Sequence, residues 1–257
     1  ANLFYKEKTP CTGCSPGRYV GCITCSKYVG RIRLPWYLRY NPLFWLWNYQ
    51  SYLRQQERLR NVKKKIAFNT YTRDLLQKKA MENVAIVPNF TVMNKTVPPK
   101  LPQHTEGLTV TYIGNLEKMK GVHHVLQAYA MLKEQKHDVR FVFAGSGSYA
   151  LFISALAERH TDIVFKGAVP HEDVGKIYTE TDVVVIPSLW PEPFSRVLLE
   201  AYYYGKPVIA TAVGGNKDYV RHGETGYLID PTNATKEIVA AIIALKNKKT
   251  REKRRKR

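Results

Sequence analysis

VVVIPSLWPEPFSRVLLEAYYYGKPVIAT, from Val183 to Thr211, is the stretch that decides the fold. A strand is predicted over Asp182–Ile186, in which Val183–Ile186 is an unbroken β-branched run. That run closes on Pro187-Ser188 and a turn rich in proline, and a helix is predicted from about Ser195 to Tyr204. Gly205 ends the helix, and Pro207–Thr211 is a second apolar strand. Strands apolar throughout and separated by an amphipathic helix are the mark of a parallel sheet covered on both faces. Glu192 and Glu200 flank the place where the helix starts. Unpaired N–H groups and the macrodipole at a helix N-terminus attract phosphate. A carboxylate on each side suits a ligand with hydroxyls at both ends and phosphates between them, as in a nucleotide-sugar.

The same alternation extends outward. Upstream lie the strand Leu108–Ile113, a glycine-bounded loop and a helix from about Val122 to Lys136. Then follow the strand Arg140–Ala144, ending in Gly145-Ser146-Gly147, a helix from about Tyr149 to His160, and a strand at Asp162–Lys166. His171–Thr179 is predicted helical, and Lys236–Lys246 forms a last helix. A doubly wound α/β domain over residues 109–245 follows, with ligand expected at the carboxyl ends of its strands. Farther upstream, Asn61–Phe68 and Val84–Pro88 are predicted strands around a helix, Tyr71–Lys79. With the proline-containing stretch 89–108 as a linker, residues 1–88 have the pattern of the tail of a first α/β domain. Its beginning is expected to be missing, since the first residue is Ala.

The formal net charge of +19 is unevenly placed. Residues 1–108 carry 18 Lys/Arg against 5 Asp/Glu, residues 109–245 carry 13 against 15, and the tail 246–257 carries 9 against 1. The central domain is therefore near neutral, and the basicity belongs to its flanks. Basic flanks suit an acidic membrane or a nucleic acid, or are simply solvated surface. The tail KNKKTREKRRKR is expected to be disordered when unbound. No run of about 18 apolar residues occurs, and no charged-then-apolar leader opens the chain, so a cytoplasmic location is expected.

Two further features lie in the first part. All four cysteines fall in Cys11-x2-Cys14-x7-Cys22-x2-Cys25, a pattern of paired knuckles that suits a compact structural zinc site. Two disulfides, free thiols or an iron–sulfur cluster are the alternatives. Residues Leu34–Leu53 hold Trp36, Trp45 and Trp47, followed by Arg54, Arg58, Arg60 and Lys63–Lys65. Aromatic bodies beside cations form an interfacial signature, which would place the chain peripherally on a membrane face. A helix packed within the first domain is the alternative.

VTYIGNLEKMKG (110–121), FVFAGSGS (141–148), the stretch quoted at the outset, VGGNKDYV (213–220) and HGETGYLI (222–229) occur in one order. In that order and spacing the chain resembles the retaining, GT-B fold glycosyltransferases of glycosyltransferase family 4. The match is to their C-terminal, donor-binding Rossmann-like domain and covers about residues 61–245. The resemblance implies transfer of a sugar from a nucleotide-diphosphate-sugar to an acceptor, sugar or lipid-linked, with retention at the anomeric carbon. It implies that Glu192 lies beside the donor sugar and that Glu200 accepts from the ribose hydroxyls. Phe194, Ser195 and Arg196 would present backbone N–H groups to the diphosphate, and Lys120 would place a point charge on it. Gly114 and Gly121 would admit close backbone approach. Lys166–Pro170, with Gly167 and Val169, would read the base. Gly145 belongs either to a tight turn or to a phosphate cradle. No cofactor is implied for catalysis, and no Asp-x-Asp occurs to hold a metal.

One departure matters: where the family usually pairs an Arg with the loop Lys, this chain has Asn115, which brings no charge and no bidentate fork. Lys118 is the nearby substitute. Asp218 also stands where the family commonly has Glu. Two other classes fit parts of the sequence. A zinc-knuckle nucleic-acid-binding module would use the basic flanks, yet the neutral central domain offers no basic stripe and nucleic acid is not the expected partner. Another GT-B fold enzyme, an epimerase or phosphorylase, would share the sheet, but the E-x7-E pair favours a transferase.

Overall fold

The computed structural model describes residues 41–78, 81–88 and 107–247. The chain divides into two units, 1–88 and 89–257. The cysteines, Trp36, the proline-rich stretch 89–106 and the tail from residue 248 lie outside the described residues.

In the first unit, helix α1 (Pro42–Asn61) starts where Asn41 meets Pro42. The Asn41 side chain accepts from the N–H groups of Leu43 and Phe44 at 2.9 and 3.3 Å, and proline tolerates the first turn because its missing N–H has no partner there anyway. Strands β1 (Lys65–Ala67) and β2 (Val84–Ile86) pair in parallel, with helix α2 (Thr70–Gln77) between them in sequence. Buried Asn69 caps α2 by accepting from Thr72 N–H at 2.7 Å. The predicted strand Asn61–Phe68 is corrected to three residues: α1 runs through Asn61, and the lysines at 63 and 64 are exposed.

The second unit contains β3 (Thr109–Ile113), α3 (Val122–Glu134), β4 (Arg140–Ala144), α4 (Ala150–Arg159) and β5 (Ile163–Gly167). These are followed by α5 (Val174–Glu180), β6 (Val183–Ile186), α6 (Arg196–Tyr203), β7 (Val208–Thr211), α7 (Asn216–Tyr219), β8 (Gly226–Ile229) and α8 (Ala234–Leu245). All six strands are parallel, in the order β5-β4-β3-β6-β7-β8.

Alternate residues of one strand serve opposite faces, because the strand period is two. Val110, Tyr112, Phe141, Phe143, Val183, Val185 and Ile209 pack with α3, α4 and α8. Val184, Ile186, Val208 and Ala210 pack with Tyr178 of α5 and with Leu198 and Ala201 of α6. Both faces are dry, which is why the strands are apolar throughout rather than alternating. The α/β doubly wound expectation holds. Two parts of it are refined: His171–Asp173 is a separate tight turn before α5, and α8 begins at Ala234. Strand β8 and the four-residue α7 were not anticipated.

Candidate functional site

The strand order reverses beside β3. The chain leaves β3 toward β4 and β5 on one side, whereas β6, β7 and β8 lie on the other. In sheets of this kind a crevice at the carboxyl ends of the strands beside the reversal is the usual ligand position; here those strands are β3 and β6. Loop 114–121 leaves β3, and segment 187–195 leaves β6.

These two segments are fastened to each other. Leu189 N–H donates to the Met119 carbonyl at 2.9 Å. Gly121, at φ +74°, begins α3 so close to β6 that a Cβ there would sit 1.8 Å from the Pro187 carbonyl oxygen. Only glycine fits both the left-handed backbone and that approach. Lys120, just before it, is thereby aimed across the crevice. Its Nζ donates to Glu192 Oε1 at 2.6 Å, and Ser188 Oγ donates to the same oxygen at 2.9 Å.

Glu192 is held from its backbone as well. Its carbonyl accepts from Gly215 N–H at 2.9 Å, and Gly214 packs where a Cβ would be 2.4 Å from that oxygen. Thr211 at the end of β7 donates from Oγ1 to the Ser188 carbonyl at 2.5 Å. Groups from β3 and β6 thus reach the Glu192 carboxylate, while those after β7 hold the backbone carbonyls of Ser188 and Glu192. The Lys120 and Glu192 side chains are 34% and 20% exposed, so the pair contributes no more than about 1 kcal/mol to stability. Its consequence is positional: a cation and a carboxylate meet at the crevice with partial access to solvent.

Tyr112, buried beneath the loop, donates from its hydroxyl to the Asn115 carbonyl at 2.7 Å. Burial pushes its phenol pKa far above the ordinary value, with the charges of Glu192 and Glu117 adding to the effect. The hydroxyl is therefore a permanent donor bracing the loop, while the Asn115 side chain is exposed. Lys118 is exposed too, and its charge is felt at His123, whose pKa is lowered to about 4, chiefly by burial and then by His124 and Lys118.

Gly145 serves a close backbone approach: a Cβ there would lie 1.8 Å from the Gly114 carbonyl oxygen. Its N–H donates to the Gly167 carbonyl at 2.6 Å, joining the ends of β4 and β5. Gly114 and Gly167 share its positive φ but differ from it in having no atom within 4 Å of a built Cβ. They border open space. Val169 packs with Val142, Ala144 and Ile177.

Helix α6 opens with Ser195 in the N-cap position, buried, its side chain making no cap hydrogen bond. Arg196 is exposed on the first turn, and Phe194 lies edge-on to Tyr219 at 5.0 Å. Glu200, four residues after Arg196 and so on the same helix face, is 6% exposed. The Tyr178 hydroxyl donates to its Oε2 at 3.0 Å, and His171 Nδ1 lies 4.0 Å from its Oε1. The E-x7-E pair thus has one member on the loop beside Lys120 and the other under the helix beside Tyr178. Ser188, Tyr178, Tyr112 and Thr211 were missed from the sequence. Ser188, four residues before Glu192 at a strand end, was the one with a visible signal. Among the described residues no cluster of three or more His, Cys, Asp or Glu side chains could hold a metal ion, and no helix is long and apolar enough to cross a membrane.

Residues 94–257 match the family model described as glycosyl transferases group 1. Spore coat protein SA of Bacillus subtilis is 36% identical over 129 residues, which are 47% of this chain and 34% of that protein. A D-inositol 3-phosphate glycosyltransferase of Corynebacterium urealyticum is 37% identical over 131 residues, 47% of this chain and 31% of that one. The chain thus spans about a third of the length of these curated relatives. Among solved structures, Anabaena HepE in complex with UDP and glucose superposes with a TM-score of 0.58 at 22% identity, over 74% of this chain and 55% of HepE. Sucrose-phosphate synthase from Thermosynechococcus elongatus reaches 0.66 at 24% identity, over 81% and 55%. These neighbours carry the GT-B glycosyltransferase fold, and the family model covers well over half of the chain. The chain belongs to the glycosyl transferases group 1 family.

Proposed function

We propose that this chain is the donor-binding part of a retaining glycosyltransferase of family 4, one that takes its sugar from a nucleotide-diphosphate-sugar. The observation that carries the reading is the meeting of Lys120, Glu192 and the uncapped start of α6 at the reversal point of the sheet. The diphosphate lies against the first-turn N–H groups around Phe194, Ser195 and Arg196, with Lys120 beside it. Glu192 accepts from hydroxyls of the donor sugar, and Glu200 from those of the ribose. Gly114 and Gly167 leave room for the ligand, and the backbone near Val169 meets the base. The UDP and glucose bound by HepE support this class of donor.

In the reaction the bond from the anomeric carbon to the diphosphate oxygen breaks, and its electron pair leaves with the diphosphate. An acceptor hydroxyl forms the new bond to that carbon and gives up its proton to an oxygen of the departing diphosphate. Positive charge on the departing phosphates stabilises the leaving group as negative charge grows there. Lys120 and the helix N–H groups supply that charge complement, so no bound metal is required by the scheme. Asn115 contributes a neutral donor where a second cation is usual, and Lys118 is the residue to test as its replacement.

On the acceptor side, α1 exposes Leu43, Leu46, Trp47 and Leu53, with Arg54 and Arg58 following. That arrangement supports peripheral attachment to an anionic membrane on its cytoplasmic face and a lipid-linked acceptor. The cysteines are proposed to hold a structural zinc ion, which metal analysis of the purified protein tests directly. The functional reading is tested by a thermal-shift screen against UDP, GDP, ADP and their sugars. A ligand that binds the folded state raises the melting temperature, and no shift with any of them contradicts the reading.

A further inference from the structure

Glu200 is buried, yet its two oxygens differ. Oε2 accepts from the Tyr178 hydroxyl at 3.0 Å, whereas Oε1 accepts no hydrogen bond from the described residues, and His171 Nδ1 stands off at 4.0 Å. Tyr178 itself is fully buried. Its ring stacks on Tyr204 with centroids 4.9 Å apart and planes within 9°. Tyr204 in turn lies over Gly175, where a Cβ would sit 2.5 Å from the Tyr204 hydroxyl oxygen. The hydroxyl is placed by a chain of contacts that runs from a glycine of α5, through an aromatic stack, to one carboxylate oxygen of α6.

We infer that Tyr178 is a positioning residue that fixes the Glu200 carboxylate by its Oε2, so that Oε1 is presented to the ribose diol of the nucleotide. The inference rests on the donor-site reading and adds a residue to it. Burial and the Glu200 charge both hold the Tyr178 phenol well above its ordinary pKa, so it remains a donor at working pH. A carboxylate gripped by a rigid neutral donor loses its rotational freedom. Its ligand-facing oxygen is then preorganised, and less ordering is left for binding to supply. The Val197 carbonyl, 3.3 Å from the same hydroxyl, is a second acceptor. With Glu200 replaced, that carbonyl would still give the buried hydroxyl an acceptor.

The test compares UDP with 2′,3′-dideoxy-UDP, by titration calorimetry, on wild type and on Tyr178→Phe, which keeps the ring and the stack. Wild type is expected to prefer UDP, and Tyr178→Phe to lose about tenfold in UDP affinity, as for one hydrogen bond to a charged group. Affinity for the dideoxy analogue is expected to stay within twofold. Equal losses for both nucleotides, or an unchanged preference for UDP in the variant, would overturn the positioning role and leave the donor site standing. If wild type itself binds UDP and the analogue equally, the ribose role of Glu200 falls, and that of Tyr178 with it. Gly175→Ala, which displaces Tyr204 rather than the hydroxyl, is expected to weaken the same preference in the same direction.

Discussion

Lys120 Nζ lies 2.6 Å from Glu192 Oε1, and the two residues arrive on segments that leave neighbouring strands on opposite sides of the sheet's reversal point. Neither element alone makes a site. A helix start attracts anions, but a cation and a carboxylate fixed beside it separate a phosphate position from a hydroxyl position. That division of labour is what a nucleotide-sugar needs.

Lys120→Ala is expected to cost more in turnover than in affinity. Removing one preorganised group that faces developing charge lowers kcat about 100-fold. Donor KM is expected to change much less. Steady-state kinetics on the full-length enzyme separate the two, and a large KM effect with unchanged kcat would assign Lys120 to ground-state binding instead.

The glycines divide into two classes. Gly121→Ala and Gly145→Ala each force a Cβ to 1.8 Å from a carbonyl oxygen at positive φ, so each is expected to lose at least about 3 kcal/mol of stability. Gly167→Ala meets no neighbour at φ +65° and is expected to lose only about 1–2 kcal/mol. Under the proposed donor site its larger effect is expected on nucleotide binding. Urea unfolding measures the first contrast and calorimetry the second.

His123 and His124 predict a pH dependence. Both imidazoles titrate below their ordinary value of 6.5, chiefly because burial disfavours the charged form, and His123 is lowered to about 4. Between those pH values the unfolded chain binds more protons than the folded one, so stability falls as pH drops from 6.5 toward 4. Above 6.5 their contribution is fully present. Replacing His123 by Gln is expected to flatten that acid limb in urea unfolding at pH 7 and pH 5. An unchanged slope would show that other groups carry it.

The exposed face of α1 predicts salt-sensitive binding to vesicles containing anionic lipid. Trp47→Ala and Leu46→Ala remove exposed apolar area (Trp47 is 63% exposed) and are expected to reduce co-sedimentation. Arg54→Gln with Arg58→Gln is expected to reduce its salt dependence. Equal binding to neutral vesicles, unaffected by these changes, would remove the membrane reading.

The sheet was legible because its strands are buried on both faces, which writes them as continuous β-branched runs such as Val183–Ile186. Strand β8 escaped because Gly226-Tyr227-Leu228-Ile229 is short, opens on glycine and is only half-buried in the middle. The boundary between α1 and β1 escaped because Val62 and the lysines after it carry no periodicity. Glu192 and Glu200 stood out by their spacing around a helix start, and Lys120 through the resemblance of its glycine loop. Tyr178 did not, because what matters is which oxygen its hydroxyl reaches. Sequence periodicity cannot distinguish a core tyrosine from one that grips a carboxylate.

The most direct measurement is a crystal structure of the chain with UDP. The account predicts the diphosphate against the N–H groups of Ser195 and Arg196, within reach of Lys120, and the ribose hydroxyls on Glu200 Oε1. Nucleotide bound away from the crevice between β3 and β6, or a diphosphate remote from both Lys120 and α6, would contradict it.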